Sequence, residues 1–144
     1  MAVDVVKHES PAEELLSLPE PPEILLVEDD PSSVQLTCEM LGLLGCRVSV
    51  VSSGLDALNA VNLGSYAMVL MDCRLPEMSG PSATRAIREN EVRFGWPAMP
   101  IVALTASVMP HEVENYLASG MNEVLTKPVS LQELRLAVLK WSNN

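Results

Sequence analysis

Aromatic residues are scarce: two Trp, two Tyr and one Phe make up 3% of 144 residues. A chain of this length suits one globular domain with its own core. With 48% of residues hydrophobic, Val, Leu, Ile, Ala and eight Met must fill that core. Basic residues are also few, 9 Lys and Arg against 19 Asp and Glu, for a formal net charge of -10. That balance excludes nucleic-acid binding through phosphate neutralisation. The three cysteines, Cys38, Cys46 and Cys73, leave an odd count and share no metal-type spacing. They read as reduced thiols, two of them in the core, and not as a disulfide framework. No apolar run reaches membrane-spanning length, and the start, Met1-Ala-Val-Asp-Val-Val-Lys-His8, lacks a signal-peptide pattern. A soluble, cytoplasmic protein without membrane insertion is expected.

What is present falls into two zones. Residues 1–22 are acidic and Pro-rich, with one short apolar patch, Leu15-Leu16-Ser17-Leu18. Such a segment buries too little surface to fold alone and reads as a tail or linker, with a docking helix as the alternative. After it the pattern becomes regular. Ile24–Val27, Met68–Met71, Ile101–Leu104 and Val124–Thr126 are short apolar runs bounded by turn signals, as in strands buried on both faces. Arg47–Val51 alternates enough for an edge strand. Helices are expected between them. One starts at Pro31 behind Asp30, with Val34, Cys38, Leu41 and Leu44 on one side, and Gly45 stops it. Ser53-Gly-Leu-Asp56 opens a second, to about Asn62. Gly80-Pro81 opens a third through about Glu89, followed by a polar loop from Asn90 to Pro100 with Trp96 packed under it. Pro110 starts a fourth that Gly120 ends, and Ser130-Leu-Gln-Glu133 caps a last one, with Leu131, Leu134, Val138 and Trp141 toward the core. Five strands alternating with five helices predict an α/β parallel sheet covered on both faces.

In such a sheet the carboxyl ends of the strands share one edge, where open α/β folds place their sites. Glu28-Asp29 ends the first strand, Asp72 the third, Thr105 the fourth and Lys127 the fifth. Helix capping or simple solvation would explain Glu28-Asp29 alone, but not the whole set. Three acids packed together repel unless a cation intervenes. A hard divalent ion with oxygen ligands balances them, and Mg²⁺ typically takes one or two carboxylates, waters and a phosphoryl oxygen. The set therefore points to phosphoryl chemistry, with Asp72 as the nucleophile that forms an acyl phosphate. Lys127, the Thr105 hydroxyl and backbone N–H groups beside Cys73 and Arg74 would hold the phosphoryl oxygens.

Leu26-Val27-Glu28-Asp29-Asp30, Met71-Asp72-Cys-Arg-Leu-Pro76-Glu-Met-Ser-Gly80, Ala103-Leu-Thr105-Ala106 and Thr126-Lys127-Pro128 resemble, in order and spacing, the receiver domain of two-component signalling. The wording is most similar to receivers attached to hybrid histidine kinases. The likeness runs from about Glu23 to Trp141, so residues 23–144 are expected to form the receiver. It implies a flavodoxin-like fold with strand order 2-1-3-4-5. Asp72 would take phosphate from a phosphohistidine of a histidine kinase or histidine phosphotransfer domain. Mg²⁺ would be held by Asp29, Asp72 and the Arg74 backbone carbonyl, with Glu28 acting through water. The resemblance also implies a cis peptide at Lys127-Pro128. Three positions depart from the family pattern. Val124 stands where a ring is frequent, Arg74 where an uncharged or acidic residue is frequent, and Ser79 where Asp often precedes Gly80.

His8 and His111, the only histidines, lack the context of a phosphorylated histidine, so the chain is expected to receive phosphate and not originate it. Phosphorylation would bias the face made by the fourth helix, fifth strand and fifth helix, and with it partner binding. With residues 23–144 read as a receiver, no output domain is expected within them, as in a single-domain regulator, a relay intermediate or a module of a hybrid kinase. Two other readings remain: a receiver-like binding module that signals without phosphate, and an aspartyl-phosphate phosphatase. The second needs an acid two residues after the nucleophile, where Arg74 stands.

Overall fold

The computed structural model describes residues 20–107 and 109–142. Ten elements alternate along the chain: β1 (Glu23–Val27), α1 (Pro31–Leu43), β2 (Arg47–Val51), α2 (Gly54–Leu63), β3 (Met68–Asp72), α3 (Gly80–Phe94), β4 (Ile101–Thr105), α4 (Pro110–Ala118), β5 (Glu123–Thr126) and α5 (Leu131–Ser142). The strands form one sheet in the order β2-β1-β3-β4-β5, and every neighbouring pair is parallel. Chain direction across the sheet reverses at β1, since β2 lies on one side of it and β3 on the other. The crevice above β1 and β3 is therefore the topological switch point.

All five residues of β3 and of β4 are buried, as their unbroken apolar runs require of strands covered on both faces. Successive side chains alternate between two half-cores. Ile24, Leu26, Leu70 and Leu104 pack with Leu41 of α1 and Leu134 and Val138 of α5. Leu25, Val27, Met71 and Ala103 pack with Ala57, Ile87 and Tyr116 from α2, α3 and α4.

Helix starts follow the local chemistry. The Asp30 carboxylate accepts the Ser33 N–H at 2.9 Å, Ser53 accepts from Asp56 at 3.1 Å, and Ser79 accepts from Ser82 at 3.2 Å. At Ser130 and Glu133 both halves of a capping box are made, each at 3.1 Å. The Ser79 bond gives this position a role of its own: the serine opens α3.

Three expectations need correcting. The third helix does not stop near Glu89 but runs to Phe94. Glu91 faces inward there, and Gly95, at φ 69°, supplies the left-handed residue that ends the helix. Leu131 does not point to the core; it is exposed, and Leu134, Ala137 and Val138 form the buried stripe of α5. Trp96 is not tucked under its loop but remains 39% exposed, stacked on Phe94 with ring centroids 4.9 Å apart. Residues 1–19, with His8 and the Leu15–Leu18 patch, lie outside the described residues.

Candidate functional site

Asp72 is the last residue of β3 and is buried. Glu28 and Asp29 follow β1, Thr105 ends β4, and Lys127 follows β5. The parallel sheet brings these groups, which lie up to 99 positions apart in sequence, to one rim. One carboxylate oxygen from each of Glu28, Asp29 and Asp72 lies within 4.8 Å of the others. The Lys127 ammonium bonds Glu28 Oε1 at 2.7 Å and lies 3.4 Å from Asp72 Oδ2. Three carboxylates against one ammonium leave excess negative charge, and the oxygen-only donor set fits a hard divalent cation.

Glu28 and Asp29 differ in setting. Glu28 is buried and Asp29 exposed. Burial, reinforced by the neighbouring Asp72, pushes the Glu28 carboxyl above the usual range, although Lys127 pulls it down. For Lys127 burial works against the charged form, yet bonds to Glu28 and the charge of Asp72 outweigh it and raise its pKa. Asp30 belongs outside this group: it is the exposed cap of α1, and the Ser33 N–H holds its carboxyl low.

The loop after Asp72 is shaped by close backbone approach. A Cβ on Gly80 would stand 2.5 Å from the Asp72 carbonyl oxygen and 2.9 Å from Cys73 Cα. Only glycine lets α3 begin against the end of β3. Glu77, at φ 66°, makes the turn between them. The Arg74 N–H donates to Asp72 Oδ1 at 3.1 Å, while the Arg74 residue itself is exposed. The expectation of a second backbone donor at Cys73 fails, because that N–H is already donated to the Leu104 carbonyl at 3.0 Å. The Lys127-Pro128 peptide is cis, in agreement with the family pattern.

Thr105 is 2% exposed and its Oγ1 accepts the Ser107 N–H at 3.1 Å. On its other side lies the phenol of Tyr116, from α4, at 3.4 Å. Sequence reasoning missed Tyr116, since a lone Tyr on a polar helix carries no motif. It also missed Glu112, which bonds the Ser107 hydroxyl from one helical turn earlier. His111 is exposed, as expected. A groove of about 670 Å³ lies at the opposite edge beside Tyr66, Trp96 and Pro97, and contains none of the site residues.

The family model for the response regulator receiver domain matches residues 24–139. The chain belongs to this family. The receiver is 42% identical over 121 residues to the sensor protein GacS of Pseudomonas syringae pv. syringae, covering 84% of the chain but only 13% of that protein. It is also 42% identical to the receiver domain of the sensor histidine kinase PA1611 from Pseudomonas aeruginosa PAO1, with a TM-score of 0.75, covering 85% of this chain and 98% of that one. That crystal structure has a magnesium ion coordinated in its active site cleft. A third relative, at 30% identity and TM-score 0.80, covers 85% of this chain and 90% of that one. It comes from a co-crystal of the Saccharomyces cerevisiae histidine phosphotransfer protein Ypd1 with the receiver domain of its downstream response regulator Ssk1. The receiver is thus a signalling domain of two-component and phosphorelay systems, with the flavodoxin-like fold. No helix among its described residues is long and apolar enough to cross a membrane.

Proposed function

We propose that Asp72 is the phosphoacceptor, taking a phosphoryl group from a phosphohistidine of a histidine kinase or histidine phosphotransfer domain. A carboxylate oxygen of Asp72 attacks phosphorus in line, the P–N bond breaks, and the imidazole leaves with the electron pair. The observation that carries this reading is the cluster of Glu28, Asp29 and Asp72 oxygens within 4.8 Å, beside the Lys127 ammonium. Asp29, Asp72 and the Arg74 carbonyl would hold Mg²⁺, with Glu28 acting through water. Bound there, the ion offsets charge on the phosphoryl oxygens.

The residues divide the remaining work. Lys127 takes one phosphoryl oxygen and exchanges part of its bond to Glu28 for it. The Thr105 hydroxyl takes another. The Arg74 N–H fixes the orientation of the Asp72 carboxylate. Catalysis is then positioning plus electrostatics, and slow hydrolysis of the acyl phosphate resets the receiver. Phosphorylation then biases the α4-β5-α5 face and its affinity for a downstream partner. The apolar groove beside Lys127 and Pro128, about 230 Å³ and edged by Leu36 and Met40 of α1, gives the donor domain a place to approach. Residues 1–22 serve as an acidic, Pro-rich tail or linker, and the receiver works in the cytoplasm. The magnesium in the PA1611 receiver and the Ypd1–Ssk1 pairing support this assignment by likeness.

The test is incubation with Mg²⁺ and a small acyl phosphate or phosphoramidate, read by intact mass. Wild type gains one phosphoryl group and Asp72→Asn gains none. Equal gain in both would place the phosphoryl group on another residue and overturn the assignment to Asp72, and none in wild type would favour a module that binds partners without phosphate.

A further inference from the structure

The hydrogen-bonding capacity of Thr105 is limited and can be counted. A threonine hydroxyl has one proton to donate and two lone pairs to accept with. One lone pair takes the Ser107 N–H at 3.1 Å. The second partner is the Tyr116 hydroxyl at 3.4 Å, with both residues buried. A phenol is more acidic than an aliphatic alcohol and so is the better donor, which makes Tyr116 the donor and Thr105 the acceptor. Both lone pairs are then engaged, and the threonine proton alone is left for a phosphoryl oxygen.

We propose that Tyr116 is a positioning residue for phosphoryl transfer: its hydroxyl, donated to Thr105, fixes the direction in which the Thr105 proton is offered to the group on Asp72. The inference rests on the role given to Thr105 in the proposed function. Its anchoring comes from α4 as a whole. That helix starts without a side-chain cap. Its hold on the loop after β4 runs through Glu112 to Ser107 and, one turn on, through Tyr116 to Thr105. These two residues share one face of α4 because they are four apart. The chain of donors also ties α4 to the phosphosite, so a change in the load on Thr105 is felt at the helix.

The test uses beryllofluoride, a phosphoryl mimic, titrated with Mg²⁺ into wild type, Tyr116→Phe, Thr105→Val and the double variant. Phenylalanine keeps the ring in its packing place and removes only the donor. Loss of one neutral hydrogen bond predicts an about 2- to 10-fold rise in Kd for Tyr116→Phe. In the Thr105→Val background the same change should alter Kd by less than about half of that, because the acceptor is gone. Ultraviolet difference spectra should show a tyrosine perturbation on beryllofluoride addition that Tyr116→Phe and Thr105→Val each abolish. Unchanged or tighter binding by Tyr116→Phe would overturn the proposal, as would a loss of the same size in both backgrounds. If wild type itself does not bind beryllofluoride, the phosphoacceptor reading fails first and this role fails with it.

Discussion

Cys73 adjoins the phosphosite but is no nucleophile: burial, helped by the charge of Asp72, pushes its thiol up to about 12. Cys46 shows the same effect without a charged neighbour, since burial alone raises it from 9.0 to about 11. The sign of the resulting pH dependence follows from linkage. A thiol whose folded pKa lies above its unfolded value loses its proton first in the unfolded chain. Its stabilising contribution is whole below the unfolded value and disappears as pH rises through the folded one. For Cys46 the window is pH 9 to 11, and two pKa units amount to about 3 kcal/mol. Unfolding free energies from urea titrations across that range should therefore fall more steeply in wild type than in Cys46→Ala. Parallel curves would show that the thiol is not desolvated as the packing implies. Two buried thiols were legible in the sequence from apolar context alone; which ones depended on the register of loops that context does not specify.

The same division holds among the elements. The strands and helix starts were readable because they rest on short-range rules: unbroken apolar runs for β1, β3 and β4, and Asp30, Ser53 and Ser130 as caps. The end of α3 was not. Asn90–Phe94 is polar and reads as loop, yet Glu91 is buried through contacts that only the tertiary fold creates. Its carboxylate pairs with Arg88 at 2.9 Å and accepts the Met99 N–H at 2.8 Å. Arg88 in turn donates to the Gly120 carbonyl at 2.8 Å and to Asn122 at 3.0 Å, joining α3 to the turn before β5. Removing Glu91 leaves a buried donor and half of an ion pair, so Glu91→Ala should cost about 3 kcal/mol. Exposed Glu89→Ala, on the same helix, should stay within about 0.5 kcal/mol. Chemical denaturation of the two variants separates them. A small loss for Glu91→Ala would mean that α3 holds its last turn by propensity and the Gly95 cap alone.

At the scale of the whole molecule, the site exists only because the chain reverses across the sheet at β1. That reversal sets Glu28 and Asp29 beside Asp72, with Thr105 and Lys127 on the far side of β3. The five groups were legible in the sequence as a set, since the ends of parallel strands must share an edge. Tyr116 was not, because its approach to Thr105 depends on how α4 packs over that edge. With a net charge of -10 on the chain, the three clustered acids add a local repulsion that folding must overcome. A divalent ion that binds only the assembled rim should relieve it and stabilise the fold by mass action, about 2.7 kcal/mol at 100 times its Kd. Asp29 is the informative residue for testing this, being exposed and therefore removable at little cost to folding. Thermal melts with Mg²⁺, matched in ionic strength by a potassium salt, should show a stabilisation in wild type that Asp29→Asn largely loses. If Asp29→Asn responds as wild type does, the ion is not held at this rim, and the burial of Asp72 beside Glu28 would rest on Lys127 alone.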